Sequence, residues 1–182
     1  MEIEKLKIDG LLIIRPTVFE DDRGYFFETF NVAKFKKFGL PIDFVQDNLS
    51  KSSKNVLRGL HFQNPPFAQG KLVSVLRGSV LDVAVDIRKD SPTYGQYHSI
   101  VLSEQNKKQF YIPPGFAHGF ETLENDTIFS YKCTKGYNKE SEGAIKWDDL
   151  DLNINWQAEN PIVSGKDEIA RNFKELNSQF KV

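Results

Sequence analysis

The feature that most constrains the fold of this chain is a succession of short segments that are either alternating or continuously apolar. Such segments are typical of β-strands, because successive side chains in a strand point to opposite faces of a sheet. Glycine, proline, asparagine and aspartate mark the turns between them. The predicted strands are Leu11–Arg15, Gly24–Phe30, Phe44–Asn48, Val56–Gln63, Lys71–Arg77, Val80–Ile87, Tyr97–Leu102, Gln109–Ile112 and Thr127–Thr134. This spacing predicts a β-sandwich, jelly roll or barrel.

Helical periodicity is confined to two short stretches. Asn31–Phe38 has apolar residues at helical spacing, and Lys166–Leu176 would place Ile169, Phe173 and Leu176 on one face of a helix. Neither stretch is long enough to build a parallel α/β fold, and the chain has no internal repeat or linker. We therefore expect residues 1–182 to form one all-β domain, consistent with about 100–200 residues per domain.

Charge and cysteine content exclude several classes of protein. The 24 Lys and Arg balance 25 Asp and Glu, whereas a broad nucleic-acid or membrane surface needs an excess of basic residues. The charged start of the chain predicts no signal peptide, and its longest apolar run, Leu11–Ile14, is too short to span a membrane. Cys133 is the only cysteine, so no internal disulfide can form. We expect a cytoplasmic protein in a reducing compartment.

Three histidines are candidates for chemistry. His61 lies in a strand-like segment and is either a hydrogen-bonded core residue or a functional one. His118 follows the Pro113–Gly115 turn and is either structural or a substrate contact, whereas His98 is expected to face solvent. A metal site in a jelly-roll enzyme needs at least two histidines and a carboxylate at strand spacing, and no His-x-His pair occurs. We predict no metal site.

Basic and phenolic side chains supply further candidates. Lys71 opens a predicted strand and is either functional or an exposed strand-end charge. Tyr131 shares one strand face with Phe129, but alternation does not decide which face points inward. Arg23 and Arg58 each adjoin a glycine and can present a guanidinium group to a phosphate.

Each of these candidates has a simpler alternative, and common nucleotide folds are not indicated. Arg23 can instead pair with Asp21 or Asp22 in the same turn. The chain has neither a Walker loop nor a Gly-x-Gly-x-x-Gly motif, so the sequence does not predict an ATP- or NAD-binding fold.

Motifs in order along nearly the whole chain resemble the dTDP-4-dehydrorhamnose 3,5-epimerase family, which makes the nucleotide-sugar precursor of L-rhamnose. These motifs are Asp22–Glu28, Phe44–Asn48, Asn55–Gln63, Gln69–Val73, Asp82–Lys89, Ile112–Phe120, Ser130–Lys132 and Ser164–Asp167. The resemblance implies a cupin-type jelly roll, usually a homodimer, that needs no metal or organic cofactor. It also implies a dTDP-sugar substrate, with no nucleic-acid or membrane partner.

The resemblance also implies roles for individual residues. His61 matches the general base, Asp167 the carboxylate that orients it, Lys71 the residue that steadies a developing enolate, and Tyr131 the proton donor. The positions that match substrate contacts are Arg23, Glu28, Gln46, Asp47, Asn48, Arg58, Lys71, His118, Glu142 and Lys166. Phe26 and Tyr137 are the candidates for an aromatic face against the pyrimidine, and Tyr137 matches the residue that stacks on thymine.

The implied reaction inverts C3 and C5 of dTDP-4-keto-6-deoxy-D-glucose to give dTDP-4-keto-L-rhamnose. The C4 ketone acidifies both carbons, and a neutral imidazole with a pKa of roughly 6.5 is a suitable base near pH 7. A second acid is then needed on the opposite face of the sugar. The alternatives are an epimerase acting at C3 alone or C5 alone, a metal-dependent cupin dioxygenase, and a non-catalytic sugar-binding jelly roll.

One geometric conflict follows from this assignment. Strict alternation puts Arg58 and His61 on opposite faces of one strand, although both are expected to meet one ligand. A bulge or twist at Gly59 would resolve the conflict. The alternative is that Arg58 reaches a ligand bound to a neighbouring subunit.

Overall fold

The structure, a computed structural model, describes residues 1–182 and consists mostly of short β-strands. The strands are β1 (Glu2–Lys5), β2 (Leu12–Arg15), β3 (Phe19–Asp21), β4 (Gly24–Phe26), β5 (Gln46–Ser52), β6 (Leu57–Gln63), β7 (Lys71–Arg77), β8 (Ser79–Asp86), β9 (Tyr97–Ser103), β10 (Gln109–Ile112), β11 (Phe116–Thr122), β12 (Thr127–Cys133) and β13 (Glu142–Ala144). The helices are α1 (Val32–Lys37), α2 (Gly165–Glu168) and two 3₁₀ turns at Lys139–Ser141 and Phe173–Glu175. None of these helices has the length and apolar character needed to cross a membrane.

Two antiparallel sheets pack face to face and enclose the main core. One sheet has six strands in the order β1-β2-β10-β7-β12-β5, and the other has five in the order β13-β6-β11-β8-β9. Val73, Phe110 and Phe129 of the first sheet pack with Ala84 and Phe120 of the second. The expected all-β, cupin-like architecture is confirmed. The strands β3 and β4 form a separate hairpin.

The outer face of the five-stranded sheet is also buried. Leu60 and Val83 on that face pack against Ile145, Leu152 and Phe180 of the C-terminal segment. Because both faces are covered, every residue of β8 is buried. A strand covered on both sides reads as a continuous apolar run rather than an alternating one, which explains the composition of this segment.

Each predicted strand corresponds to an observed one, but four strands were missed. The missed strands are β1, β3, β11 and β13. The most important is β11, because the turn residues before it hid a strand in which every residue is buried. The strand predicted at 44–48 begins two residues too early, and the one predicted at 24–30 ends at Phe26.

The first predicted helix is confirmed, and the second is wrong. The α1 helix forms where expected, with the Asn31 side chain accepting a hydrogen bond from the backbone N–H of Lys34. The stretch 166–176 instead divides into α2 and a 3₁₀ turn that begins after Asn172. Ile169 is 84% exposed, so it does not share a buried helix face. Ser164 and Asn172 are the N-cap residues of the two turns, so the second turn begins anew at Asn172 instead of continuing α2.

His98 is likewise not a solvent-facing residue. Its ring lies half-buried on β9, edge-on to Phe110 with the ring centroids 5.9 Å apart. Burial lowers the pKa of His98 below its ordinary value. This histidine therefore serves packing.

A bulge at Gly59 resolves the conflict between Arg58 and His61. His61 pairs with His118 and Arg58 pairs with Phe120, so three residues of β6 span the length of two on β11. The extra residue restores Arg58 and His61 to the same side of the sheet. Gly59 has φ +139°, and a Cβ there would lie 2.5 Å from Cα of Gly119.

We predict that Gly59→Ala destabilises the fold by roughly 2–4 kcal/mol, since it combines backbone strain with a clash that no side chain can relieve. The measurement is the free energy of unfolding in urea. Gly165→Ala is the matched control, because a Cβ at Gly165 meets nothing within 4 Å. Equal stability of the two variants would contradict this account of the bulge.

Candidate functional site

A cavity of about 610 Å³ opens beside the main core and gathers most of the predicted site residues. Those that line it are Asn48, Arg58, His61, Lys71, His118, Tyr131, Lys166 and Asp167. A second cavity of about 130 Å³ shares Asn48, His61, Lys71 and Tyr131 with the first. Gln46, Tyr137 and Glu142 line this smaller cavity. The shared residues make the two cavities adjoining parts of one site.

His61 is held by a buried carboxylate. Its Nε2 lies 2.7 Å from Oδ1 of Asp167, and the Asp167 side chain is 4% exposed. Because a carboxylate only accepts hydrogen bonds, Nε2 carries the proton and Nδ1 keeps a free lone pair. Burial acts to raise the pKa of Asp167, but the interaction with His61 and the hydrogen bonds with Gly59 and Ser164 together outweigh it and hold that pKa below its usual range.

Local structure explains how Asp167 reaches the sheet. Ser164 caps α2, and its side chain accepts a hydrogen bond from the backbone N–H of Asp167. The backbone N–H of Gly59 donates to Oδ2 of Asp167 over 3.3 Å. A parallel bridge between Val56 and Ile162 fixes the chain just before this turn. The bulge in β6 and the N-cap of α2 therefore bring the side chains of His61 and Asp167 into contact.

Lys71 and His118 form a second polar group in the cavity. Nζ of Lys71 lies 3.5 Å from Nδ1 of His118, and Nε2 of His118 lies 3.0 and 3.1 Å from the two oxygens of Asp82. His118 and Asp82 are both buried. Burial lowers the pKa of Lys71 and of His118 below their ordinary values. Lys71 is thus no exposed strand-end charge.

Tyr131 faces the cavity from the six-stranded sheet, opposite His61 on the five-stranded sheet. Thr127, Phe129 and Cys133 on the same face of β12 are buried, which shows that this face points inward. Nζ of Lys71 lies 5.9 Å from the centre of the Tyr131 ring. Burial raises the pKa of the Tyr131 phenol above its ordinary value, so this group is protonated at neutral pH.

Polar contacts organise the exposed end of the site. The Tyr137 hydroxyl donates to Oε2 of Glu142 over 3.0 Å, and Nζ of Lys166 lies 2.5 Å from Oε1 of the same carboxylate. The backbone N–H of Tyr137 donates to Gln46. Tyr137 is 58% exposed, so its ring is accessible to a planar ligand. Arg58 donates to the Ser52 hydroxyl along the cavity wall.

Three predicted substrate contacts lie on or next to the β3–β4 hairpin and line neither cavity. Arg23 pairs with Asp21 over 2.6 Å, which is the alternative weighed from the sequence. The Phe26 ring is 68% exposed. Glu28 binds Lys34 and Asn31 at the start of α1.

Asp47 also points away from the site. Its carboxylate accepts hydrogen bonds from Lys132 of the neighbouring strand β12, on the outer face of the sheet. Gln46 and Asn48 instead point inward. Three consecutive strand residues cannot present all their side chains to one cavity.

The donor set favours no metal. In residues 1–182 no group of three or more His, Cys, Asp or Glu side chains is arranged to hold an ion. His61 and His118 instead bind two different aspartates, Asp167 and Asp82.

The structure draws attention to two polar residues that the sequence reasoning did not single out, Asp82 behind the larger cavity and Ser50 in its wall. The sequence does contain an indication of Asp82, because a charged residue in the middle of a largely apolar strand needs a buried partner. Ser50 lines the larger cavity, and its hydroxyl is buried without a hydrogen-bond partner. Nothing in the sequence pattern distinguishes Ser50 from Ser52, the other serine of β5.

The chain is similar to known proteins over nearly its whole length. Residues 5–175 match the family model described as dTDP-4-dehydrorhamnose 3,5-epimerase. The enzyme of that name from Methanothermobacter thermautotrophicus is 51% identical over 175 residues, covering 94% of this chain and 92% of its own. The crystal structure of the Elizabethkingia anophelis enzyme is 53% identical with TM-score 0.93, covering 97% and 98% of the two chains.

A third relative was solved with a ligand. The dTDP-6-deoxy-D-glucose-3,5-epimerase from Legionella pneumophila, in complex with dTDP-4-keto-L-rhamnose, is 49% identical with TM-score 0.90. The match covers 94% of this chain and 92% of that one.

We predict that Asp167 makes folding stability depend on acidic pH. Its pKa is lower in the folded chain than the ordinary value of about 3.9. The stabilisation is therefore present above about pH 4 and is lost as pH falls through the folded pKa. The measurement is the unfolding free energy of the wild-type chain and of Asp167→Asn between pH 6 and 2. Since the two share every other carboxyl group, a difference that stays constant over this range would contradict the prediction.

Proposed function

This chain belongs to the dTDP-4-dehydrorhamnose 3,5-epimerase family, and from that premise we propose that it converts dTDP-4-keto-6-deoxy-D-glucose to dTDP-4-keto-L-rhamnose. The chain is an isomerase by family, and the substrate is our assignment. The observation that carries the proposal is that His61 and Tyr131 line one cavity from opposite sheets. Inversion of a carbon requires a base on one face of the sugar and an acid on the other.

His61 acts as the base in this proposal. Asp167 holds its Nε2–H, so the Nδ1 lone pair is available to remove the proton from C3 or C5. The carboxylate also stabilises the imidazolium that forms, as in hydrolase triads. A positioned base of this kind contributes roughly 10²–10⁴-fold to the rate.

Lys71 binds the C4 oxygen as negative charge develops on it. Removing a proton next to the ketone forms an enolate, and a fixed donor at the oxygen lowers the barrier by about 2.7–4 kcal/mol. Lys71 is a donor in either protonation state, so its lowered pKa does not remove this role. The same oxygen serves both carbons, because C3 and C5 each adjoin C4.

Tyr131 returns a proton on the opposite face. Its phenol is protonated at neutral pH because burial raises its pKa. Solvent then reprotonates Tyr131 and deprotonates His61 before the second carbon is inverted. The net reaction consumes no proton and requires no redox step.

The nucleotide part of the substrate supplies binding energy. Tyr137 offers its exposed ring to the thymine base, and Lys166 and Arg58 offer positive charge to the diphosphate. Gln46, Asn48 and Glu142 provide further polar groups along the two cavities, and His118 lines the larger one with both ring nitrogens already engaged.

We propose that a second copy of the chain completes this site. The β3–β4 hairpin carries Phe19, Tyr25 and Phe26, each more than half exposed, and it carries Arg23 away from the cavities of its own chain. Exposed aromatic rings on one hairpin are typical of an interface. In a homodimer, Arg23, Phe26 and Glu28 would contact the dTDP-sugar held by the partner copy.

We also propose that the enzyme works in the cytoplasm. Its only cysteine, Cys133, is an unpaired and buried thiol. Such a thiol suits a reducing compartment.

The central test is incubation with dTDP-4-keto-6-deoxy-D-glucose in D₂O, followed by NMR. We expect deuterium at both C3 and C5, because each inverted carbon takes its new hydrogen from solvent. Label at one carbon only would identify a mono-epimerase, and absence of label would remove this compound as the substrate.

Two variants in the same experiment separate the base from the acid. His61→Ala abolishes exchange at both carbons but leaves dTDP binding within about threefold, since the base contributes about 10²–10⁴-fold to rate rather than to nucleotide affinity. Tyr131→Phe slows inversion more than it slows the first loss of a proton. If His61→Ala retains wild-type exchange, His61 is not the base.

Mixing variants tests the dimer. We expect Arg23→Ala and His61→Ala each to have low activity, and their refolded mixture to recover up to about a quarter of wild-type activity, because half the dimers then hold one intact site. The control mixture of His61→Ala with Tyr131→Phe should recover nothing, since both residues line the same cavity. If the two mixtures recover the same activity, Arg23 does not contact the substrate held by the partner copy, and the proposal is contradicted.

A further inference from the structure

Asp82 is a buried carboxylate that the reaction scheme above does not use. It lies in β8 with none of its surface exposed, and both of its oxygens face Nε2 of His118. Burying a charge without a partner is costly, so a fully buried carboxylate needs a reason to be there. His118 is the only side chain that hydrogen-bonds to it.

The contact with Asp82 fixes the tautomer of His118. Because the carboxylate accepts but does not donate, Nε2 of His118 carries the proton. Nδ1 is then an acceptor, and Nζ of Lys71, which faces it at 3.5 Å, is the donor. The hydrogen bonds therefore run in one direction, with Lys71 donating to His118 and His118 donating to Asp82.

Packing holds the imidazole in place as well. The His118 ring stacks on Phe129, with the ring centroids 6.2 Å apart and the planes at 21°. His118 is 5% exposed, and both of its ring nitrogens are occupied. His61 differs on each point, since its side chain is 33% exposed and its Nδ1 is free. The two His–Asp pairs therefore have different tasks.

We propose that Asp82 and His118 are positioning residues that hold the Lys71 ammonium group against the C4 oxygen of the substrate. This inference rests on the proposed function. A lysine side chain is long and has about 2 kcal/mol of rotamer entropy, so a fixed acceptor is needed to aim it. The present separation of 3.5 Å is long, as is common for catalytic contacts before a ligand tightens them.

The first test is Asp82→Asn, which keeps the size of the side chain. The amide NH₂ can donate to Nε2 of His118 and so favours the tautomer with a proton on Nδ1, which then opposes Lys71. We expect kcat to fall by roughly 10–100-fold, as is usual when an outer partner of a functional group is removed. KM and dTDP affinity should change by less than about threefold, because the carboxylate does not reach the cavity.

A double-mutant cycle distinguishes positioning from a structural role. If Asp82 acts through Lys71, then adding Asp82→Asn to Lys71→Met lowers kcat by less than about twofold. If the two effects on kcat multiply, Asp82 acts independently of Lys71 and the proposal is overturned. Thermal unfolding of each variant checks that all of them are folded.

The tautomer of His118 gives a readout that needs neither turnover nor a variant. The ¹⁵N spectrum of the wild-type chain, with His118 assigned, should show a protonated Nε2 and an unprotonated Nδ1 at pH 7. A protonated Nδ1 would overturn the proposal even if Asp82→Asn fails to fold. The expected tautomer in a protein that exchanges no deuterium would instead overturn the proposed function, and with it the role of Lys71 in turnover.

Discussion

The hydrogen bond between His61 and Asp167 joins two parts of the chain that are 106 residues apart. It links the bulged strand β6 to the short helix α2, and the same carboxylate also accepts from the backbone of Gly59. One buried acceptor thus fixes the bulge, the imidazole and the C-terminal segment relative to one another. Because the cavity is lined by residues from all three, its shape and its chemistry depend on this contact.

The protein uses two His–Asp pairs in different ways, and burial accounts for the difference. His61 is accessible from the cavity and keeps one nitrogen free, so it is able to exchange a proton with a ligand. His118 is buried with both nitrogens engaged, so it is suited to hold a neighbour rather than to titrate. The same pair of residue types thus serves proton transfer at one place and orientation at another.

The strand pattern predicted nine of the thirteen strands, and three of the four that it missed, β1, β3 and β13, have only three or four residues. The fourth, β11, has seven residues and was missed because Pro113 and Pro114 indicate a turn and the strand that follows mixes glycine with polar residues. The pattern also implied a helix over 166–176, where capping side chains divide the segment into two turns.

The site residues were predictable to different degrees. Periodicity alone left Lys71 and Tyr131 undecided, and it was the family resemblance that connected them with His61. The tertiary pairing of Asp82 was visible only as a charge in an apolar strand. The position of the β3–β4 hairpin is not encoded in the local pattern, because Phe19, Tyr25 and Phe26 all remain more than half exposed in their own chain.

The arrangement of His61 and Tyr131 on facing sheets has a consequence for the core. Two packed sheets lie about 10 Å apart, and the bulk of the side chains between them sets that spacing. Phe110, Phe120 and Phe129 fill the layer next to the cavity and so act as spacers for the gap in which a hexose must fit. A smaller ring at any of these positions would bring the walls of the gap closer together. The thickness of the hydrophobic layer therefore determines the width of the gap that is available to the sugar ring.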